Sequence, residues 1–257
     1  MNYTATEMMT IAAARALANH DVCFVGIGLP SAACNLARAT HAPGVTLVYE
    51  SGTIEAKPAV LPLSIGDGEL CETALATVSV PEMFRYWLQG GRISVGFLSG
   101  AQVDRYGNLN STVIGPYGRP KVRLPGAGGA TEIATSCGRI FMIMRHGARA
   151  MVQKLDFLTT LGHGPTGQER RRLGITTAGP VLLVTDLCIM EPERETNELV
   201  VTALHEGVMR EQVAQNTGWG VRFANQVRET EPPSPLELHA LRELNARTAR
   251  AHAGGTA

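Results

Sequence analysis

The chain has 257 residues, 44% of them hydrophobic, and its 23 Lys and Arg residues equal its 23 Asp and Glu residues. This length is enough for a sizeable core, and a neutral chain without a basic block gives no electrostatic reason to bind nucleic acid or an anionic membrane. Neither a signal peptide nor an apolar run of roughly 18 residues is found, and the five scattered cysteines form no CxxC pair, so we expect a cytoplasmic protein with reduced thiols and no metal site.

The N-terminal segment has the pattern of two helices. Thr4 and Glu7 have the spacing of a capping box, and the apolar residues that follow at helical intervals predict a helix over 5–18. Ser31 follows a glycine-rich turn and is the residue type that caps a helix, so a short helix is predicted over 32–39.

Short apolar, β-branched segments punctuate the rest of the chain and predict strands. They lie at 21–26, 46–50, 92–98, 139–145 and 181–187, with further helices near 81–89 and 206–215. Strands that are apolar on both faces and alternate with helices predict an α/β fold, with a mostly parallel open sheet flanked by helices.

One break in the pattern suggests a division of the chain. Residues 229–235 read ETEPPSP, and a polar helical segment follows them. We therefore predict one domain over 1–228 and a C-terminal helical extension with a tail over 229–257.

Glu50 is the first candidate for chemistry. It ends an apolar strand and precedes Ser51 and Gly52, and ligands of open α/β sheets gather beyond the carboxyl ends of strands. A partly desolvated carboxylate at this position is a competent nucleophile, and Ser51 lies in its vicinity. The alternative is a solvated glutamate that only caps a turn.

A glycine-rich loop is the second candidate. Gly126, Gly128 and Gly129 precede Ala130, where a helical segment begins, so backbone N–H groups there can meet an anion or an oxyanion. The loop lacks the Gly-Lys-Ser/Thr of a P-loop and does not fit GxGxxG. The alternative is a flexible turn.

Three further segments carry weaker signals. Gly26 and Gly28 let a ligand approach the backbone closely, or form an ordinary strand-to-helix turn. Gln102 and Asn108 offer amide donors to a carboxylate, or satisfy a turn, which is the commoner role of such residues. The arginines at 170–172 contact a phosphate or form a solvated loop.

Four motifs in this order resemble the beta subunits of family I CoA-transferases: GIGLP, YESG, GAQVDRYGNLNSTVIG and LPGAGGA. Longer stretches, such as EMMTIAAAR, LPLSIGDGEL and TDLCIMEPE, are similar to the beta subunits of 3-oxoadipate CoA-transferases. The beta subunit of glutaconate CoA-transferase is a more distant match. The resemblance extends from about residue 5 to about residue 230.

The resemblance implies that Glu50 is the nucleophile and that Gly128 and Gly129 contact the oxyanion and the thioester. It implies coenzyme A esters as substrates without a metal or redox cofactor. It also implies an alpha subunit as partner, in an α2β2 assembly.

The extent of the resemblance predicts succinyl-CoA as the donor and 3-oxoadipate, a dicarboxylate, as the acceptor. Three alternatives remain open at this point. They are transfer to glutaconate or another short dicarboxylate, an acyl-CoA hydrolase or lyase on the same scaffold, and a non-enzymatic subunit whose partner holds the chemistry.

Overall fold

The secondary structure is taken from a computed structural model that describes residues 2–254. The helices are α1 Ala5–Arg15, α2 Leu29–Ala39, α3 Glu69–Glu72, α4 Val80–Glu82 (continued by a π-helical turn, Met83–Leu88), α5 Ala130–Ser136, α6 Glu169–Arg172, α7 Arg210–Gln215 and α8 Pro235–Gly254. The strands are β1 Val22–Val25, β2 Thr46–Tyr49, β3 Thr53–Ile54, β4 Ala76–Thr77, β5 Val95–Leu98, β6 Gln102–Val103, β7 Leu109–Asn110, β8 Val113–Ile114, β9 Val122–Arg123, β10 Arg139–Ile143, β11 Pro180–Val184, β12 Cys188–Pro192, β13 Leu199–Leu204 and β14 Arg222–Glu229.

The chain divides into two compact units. The first contains the residues up to Phe97 together with those from Pro232 onward, and the second is Leu98–Glu231. The helix predicted within 229–257 is α8, which belongs to the first unit. The predicted domain boundary at 229 stays a prediction, and residues 255–257 of its tail lie outside the described residues.

The first unit is built on strands in the order β5-β1-β2-β3-β4. β1 is parallel to both β2 and β5, whereas β3 is antiparallel to β2 and to β4. The register pairs Val25 with Tyr49. Parallel strands end at the same edge of a sheet. Gly26 and Glu50, which follow Val25 and Tyr49, therefore lie side by side at the ends of β1 and β2.

Helices α1, α2 and α8 pack together in the first unit. The predicted capping box is confirmed, because Thr4 and Glu7 exchange both hydrogen bonds and start α1 at Ala5. The helix ends at Arg15, short of the predicted residue 18, and there Arg15 forms an ion pair of 2.7 Å with Glu237 of α8. The start and end of the first unit are therefore tied to each other.

The second unit is built on strands in the order β14-β13-β12-β11-β10. β10 and β11 are parallel, β12 is antiparallel to both of its neighbours, and β14 is parallel to β13. Two small antiparallel pairs, β6–β7 and β8–β9, precede these strands. They carry the segment GAQVDRYGNLNSTVIG.

The α/β fold class is confirmed, and each of the five predicted strands overlaps a strand of the structure. Strands β12 to β14 were not predicted. β13 alternates between buried and half-buried residues, the pattern of an antiparallel strand rather than of one that is buried on both faces. In the described part of the chain, no helix has the length and apolarity that a membrane span requires.

Candidate active site

Glu50 lies at the tip of a tight turn between β2 and β3. The carbonyl of Tyr49 accepts the N–H of Gly52 at 2.9 Å, so Glu50 and Ser51 are the two central residues of the turn. Glu50 is half-buried, and within residues 2–254 no hydrogen-bond donor is assigned to its carboxylate. The role of Glu50 as the nucleophile stays a prediction, and a half-buried carboxylate at a turn tip is suited to it.

Gly52 holds this turn in place through a neighbouring part of the chain. Its φ is +109°, a conformation that L side chains rarely adopt, and a Cβ at this position would overlap the Val78 carbonyl oxygen. The Val78 N–H in turn donates to the Gly52 carbonyl at 2.9 Å. The glycine of YESG is therefore required by close backbone contact next to β4.

The GIGLP segment begins beside Glu50, at the end of β1. Helix α2 starts at Leu29 with Gly28 as its N-cap residue, at φ +81° and ψ −127°. The prediction that Ser31 caps this helix is wrong. Proline in the first turn, with its fixed φ, lets the helix begin two residues before Ser31, which is fully buried.

Two hydroxyl groups next to Glu50 lack partners. The Ser51 Oγ and the Thr53 Oγ1 are buried, and neither has a hydrogen-bond partner among the described residues. Such groups cost about 1–3 kcal/mol each when they are left unpaired. Ser51 therefore remains a candidate for contact with a substrate.

In the second unit, the glycine loop enters α5. Gly126 is anchored, because its N–H donates to the Ser111 carbonyl at 2.9 Å and its carbonyl accepts the Ser111 hydroxyl at 2.8 Å. Ala130 is the first residue of α5, and its N–H donates to Ala127 at 2.9 Å.

The N–H groups of Gly128 and Gly129 lie between these two anchors. In the described part of the chain no acceptor is assigned to either of them. Gly128 has φ +49° and Gly129 has φ −82°. Successive residues with φ of opposite sign form a concave backbone site that binds anions. The predicted oxyanion role stays a prediction, and this geometry is suited to it.

The amides of the GAQVDRYGNLNSTVIG segment are used within the protein. Gln102 donates to Asp156 at 3.1 Å and accepts from the Asn110 side chain at 2.8 Å. Asn108 donates to Asp104 and accepts from two backbone N–H groups. Contact of Gln102 or Asn108 with a substrate stays a prediction, but the geometry favours the alternative role of holding turns.

Arg170 turns inward rather than towards solvent. It is 5% exposed, and its donors reach carbonyls of Ala134, Gly162 and Thr177. Burial lowers the pKa of Arg170. Because Ala134 lies in α5, the guanidinium donates a hydrogen bond to a carbonyl in the last turns of this helix. Of the three arginines, Arg171 and Arg172 are exposed.

The structure brings the predicted residues together in two groups, one in each unit. Gly26, Gly28, Glu50 and Ser51 lie at the carboxyl ends of β1 and β2. The second group joins the Gly126–Ala130 loop to Ser111, through a backbone hydrogen bond of 2.9 Å from the Gly126 N–H, and the Leu124 N–H just before the loop donates to the Thr112 carbonyl at 3.0 Å. Among the described residues, no cluster of His, Cys, Asp and Glu side chains is arranged to hold a metal ion.

A model of the family described as coenzyme A transferase matches residues 6–216. The chain belongs to the coenzyme A transferase family.

The chain is similar to three further proteins, to different degrees. It is 63% identical to the beta subunit of 3-oxoadipate CoA-transferase from Pseudomonas knackmussii, over 97% of this chain and 96% of the relative. It is 36% identical to the beta subunit of glutaconate CoA-transferase from Acidaminococcus fermentans, over 94% and 92% of the two chains. A cholesterol ring-cleaving hydrolase IpdB subunit of Mycobacterium tuberculosis is 24% identical, over 84% and 83%.

The fold of this CoA-transferase family member also matches a solved structure. The crystal structure of glutaconate coenzyme A-transferase from Acidaminococcus fermentans superimposes with a TM-score of 0.90 at 32% identity. The match covers 96% of this chain and 97% of the other. The predicted resemblance to both CoA-transferase groups is thereby confirmed.

Sequence reasoning missed two polar residues that follow strands of the second unit of this family member. His146 and Asp186 follow β10 and β11, and the Asp186 carboxylate accepts the backbone N–H of His146 at 2.6 Å. Burial lowers the pKa of His146 to about 4, so its imidazole is neutral at physiological pH. Their positions at the ends of two predicted strands were the available signal.

Proposed function

We propose that this chain is the beta subunit of a two-subunit CoA-transferase that moves CoA from succinyl-CoA to 3-oxoadipate, with Glu50 as the nucleophile. The observation that carries the proposal is 63% identity, over nearly the whole chain, to a subunit with that acceptor in its name. The position of Glu50 at a turn tip, with a carboxylate that no described residue engages, supports its role.

The proposed reaction begins with a carboxylate oxygen of Glu50 attacking the thioester carbonyl carbon of the donor. The carbon–sulfur bond breaks, CoA leaves as a thiolate, and a mixed anhydride forms between the acyl group and Glu50. The thiolate then attacks the Glu50 carbonyl carbon. This step releases the donor as succinate and leaves CoA bound to Glu50 as a thioester.

The acceptor reverses these steps. A carboxylate oxygen of 3-oxoadipate attacks the Glu50 thioester and expels the CoA thiolate, which then attacks the acceptor carbonyl of the new anhydride. The products are 3-oxoadipyl-CoA and the free Glu50 carboxylate. Over the complete cycle one thioester is broken and one thioester is formed, with no change of oxidation state, so we propose that no metal or redox cofactor takes part.

Each carbonyl attack places negative charge on an oxygen, which requires hydrogen-bond donors. We assign this role to the N–H groups of Gly128 and Gly129. Their opposite-sign φ angles and the absence of an assigned acceptor in residues 2–254 support the assignment.

We further propose an alpha subunit as the partner, in an α2β2 assembly located in the cytoplasm. The relatives at 63% and 36% identity are each named as one of an enzyme's subunits, which supports a second kind of chain. Full transferase activity from this chain in isolation would refute the need for the partner.

Trapping the intermediate tests the assignment of Glu50. The reconstituted enzyme is incubated with succinyl-CoA, quenched with hydroxylamine or borohydride, digested and mapped by mass spectrometry. Modification at Glu50, and loss of transfer in Glu50→Ala, are expected. Modification of another residue, or full activity of Glu50→Ala, would overturn the assignment.

Glutaconate is the strongest competing acceptor. The 36% identity and the TM-score of 0.90 to glutaconate CoA-transferase favour it as the second candidate. Measurement of kcat/KM with 3-oxoadipate, glutaconate and acetoacetate, each with succinyl-CoA and acetyl-CoA, decides between them. A preference for glutaconate with acetyl-CoA would keep the reaction class and replace the substrate.

Hydrolysis of the acyl-CoA is the remaining alternative. The 24% identity to a ring-cleaving hydrolase subunit is the observation that supports it. An enzyme built for transfer must exclude water from its thioester intermediate. Steady release of CoA from succinyl-CoA without any acceptor acid would favour the hydrolase.

A further inference from the structure

The phenol of Tyr49 meets the hydroxyl of Ser31 inside the first unit. The Tyr49 Oη and the Ser31 Oγ lie 3.1 Å apart, and both residues are 0% exposed. Tyr49 is the last residue of β2, and Ser31 lies in the first turn of α2. The contact therefore joins the strand that ends at Glu50 to the helix that follows Gly26 and Gly28.

This hydroxyl pair is not required to fill the core. A phenylalanine occupies nearly the same volume as Tyr49, and a buried hydroxyl gives little net stability once its desolvation is counted. Burial raises the pKa of the Tyr49 phenol well above its usual range, so the group stays neutral. What the pair adds is a fixed distance between two elements.

Ser31 is itself held firmly. Its carbonyl accepts the Asn35 side-chain amide at 2.9 Å, and the Asn35 oxygen accepts from Arg38 at 3.1 Å. These polar residues follow one another along α2 at intervals of four and three, so they lie on one face of the helix. The Tyr49 hydroxyl thus meets an anchored partner.

Tyr49 is constrained on three sides. Its backbone pairs with Val25 of β1, its carbonyl closes the turn by accepting the Gly52 N–H at 2.9 Å, and its side chain reaches Ser31. The next residue is Glu50. A tilt of Tyr49 therefore changes the direction in which the Glu50 carboxylate points.

We infer that Tyr49 and Ser31 form a positioning pair that aims the Glu50 carboxylate at the thioester carbonyl. The inference rests on the proposed function. Reaction in a bound complex depends steeply on alignment, and a displacement of 1 Å can cost about 100-fold in rate. Neither Tyr49 nor Ser31 touches the reacting atoms through its hydroxyl, so both act through Glu50.

The experiment uses the enzyme reconstituted with its alpha subunit and three variants: Tyr49→Phe, Ser31→Ala and the double variant. Single-turnover mixing with succinyl-CoA, acid quench and intact-mass analysis give the rate at which the Glu50–CoA adduct forms. Steady-state kinetics give kcat and KM, and urea unfolding gives stability. Tyr86→Phe is the matched control, because Tyr86 lies in the same unit and is 64% exposed.

Tyr49→Phe is expected to slow adduct formation about 10-fold. Loss of the hydroxyl should displace Glu50 by less than about 1 Å, and a displacement of 1 Å costs about 100-fold. The KM for succinyl-CoA should stay within about twofold. The double variant removes both polar groups, so its urea midpoint should recover towards that of the wild-type enzyme. Its adduct rate should stay low, which a purely structural role of the pair would not explain.

Adduct formation in Tyr49→Phe at the wild-type rate would overturn the inference and leave the proposed function intact. Recovery of both stability and rate in the double variant would overturn it as well. If the wild-type enzyme forms no adduct at Glu50, the proposed function fails and the inference fails with it.

Discussion

The side-chain amide of Asn108 donates to both carboxylate oxygens of Asp104, across 3.0 and 2.9 Å. The other end of the same amide accepts the N–H groups of Gly162 and Gly164, at 2.9 and 3.0 Å. One buried side chain thereby joins the turn after β6 to a segment more than fifty residues later. The arrangement predicts a structural role that can be separated from substrate binding.

Asn108→Ala is expected to lower the free energy of unfolding by about 2–4 kcal/mol, because it leaves two buried backbone N–H groups without an acceptor and takes the side-chain donor away from the half-buried Asp104 carboxylate. Urea denaturation measures this change. Asn216→Ala is the control, since the Asn216 amide makes one exposed hydrogen bond to Gln212. A normal stability combined with a raised KM for the acceptor would instead show that Asn108 binds substrate.

Gly52→Ala is expected to destabilise the protein by more than about 3 kcal/mol, because the new Cβ combines a strained φ with overlap at the Val78 carbonyl. Gly91→Ala separates the two effects. Gly91 has φ +71°, but no described atom lies within 4 Å of an added Cβ. Thermal unfolding should show a cost of about 1 kcal/mol there. Equal costs at both glycines would contradict the importance of the Val78 contact.

Gly128→Val keeps the backbone N–H but should move it away from the oxyanion, and losing the use of one such donor typically lowers kcat by about 10²–10³-fold. The side chain enters space that is open in the described structure, and φ +49° disfavours a β-branched residue. Gly174→Val is matched to it, since Gly174 has φ +69° and open surroundings in the same unit. Turnover of Gly128→Val that equals that of the Gly174 variant would remove the loop from the proposed mechanism.

Acid should weaken the tie between α1 and α8. Burial raises the pKa of Glu237, but hydrogen bonds from Arg15 and Ser234 outweigh it and bring the value to about 2, below the ordinary 4.5. The folded protein then binds this proton less tightly than the unfolded chain. The stabilisation is therefore complete above pH 4.5 and is lost as the pH falls towards 2.

Urea midpoints measured across that pH window check the prediction. Glu237→Gln should be less stable than the wild type near neutrality and should approach it at the acid end. Glu243→Gln, on the exposed side of the same helix, should follow the wild-type curve throughout. A Glu237→Gln curve that stays parallel to the wild type would contradict the assignment.

Local signals in the sequence predicted the elements that have local causes. The Thr4–Glu7 capping box is complete within four residues, and the strands that end at Val25 and Tyr49 are apolar on both faces. Their ends place Glu50 correctly without any tertiary information. The bounds were less exact, because the last turn of a helix depends on what it packs against, as Arg15 does on Glu237.

The remaining features depend on contacts between distant residues. Ser31 is a residue type that commonly caps helices, yet its hydroxyl forms a hydrogen bond with the hydroxyl of Tyr49, eighteen positions later. Nothing in the GAQVDRYGNLNSTVIG motif reveals that the Gln102 amide donates a hydrogen bond to Asp156. The inward direction of Arg170 is likewise invisible in a run of three arginines, because its acceptors are backbone carbonyls of other segments.

The ion pair between Arg15 and Glu237 has a consequence for synthesis on the ribosome. Helix α1 is made before α8, and the surface that α8 covers stays open until residues 235–254 have been made, after the entire second unit. Buried side chains of α8 such as Leu238 and Leu241 then have to find a partner that was translated more than two hundred residues earlier. We therefore expect a nascent chain that lacks α8 to expose the apolar surface that α8 covers, and exposed apolar surface of this kind favours aggregation.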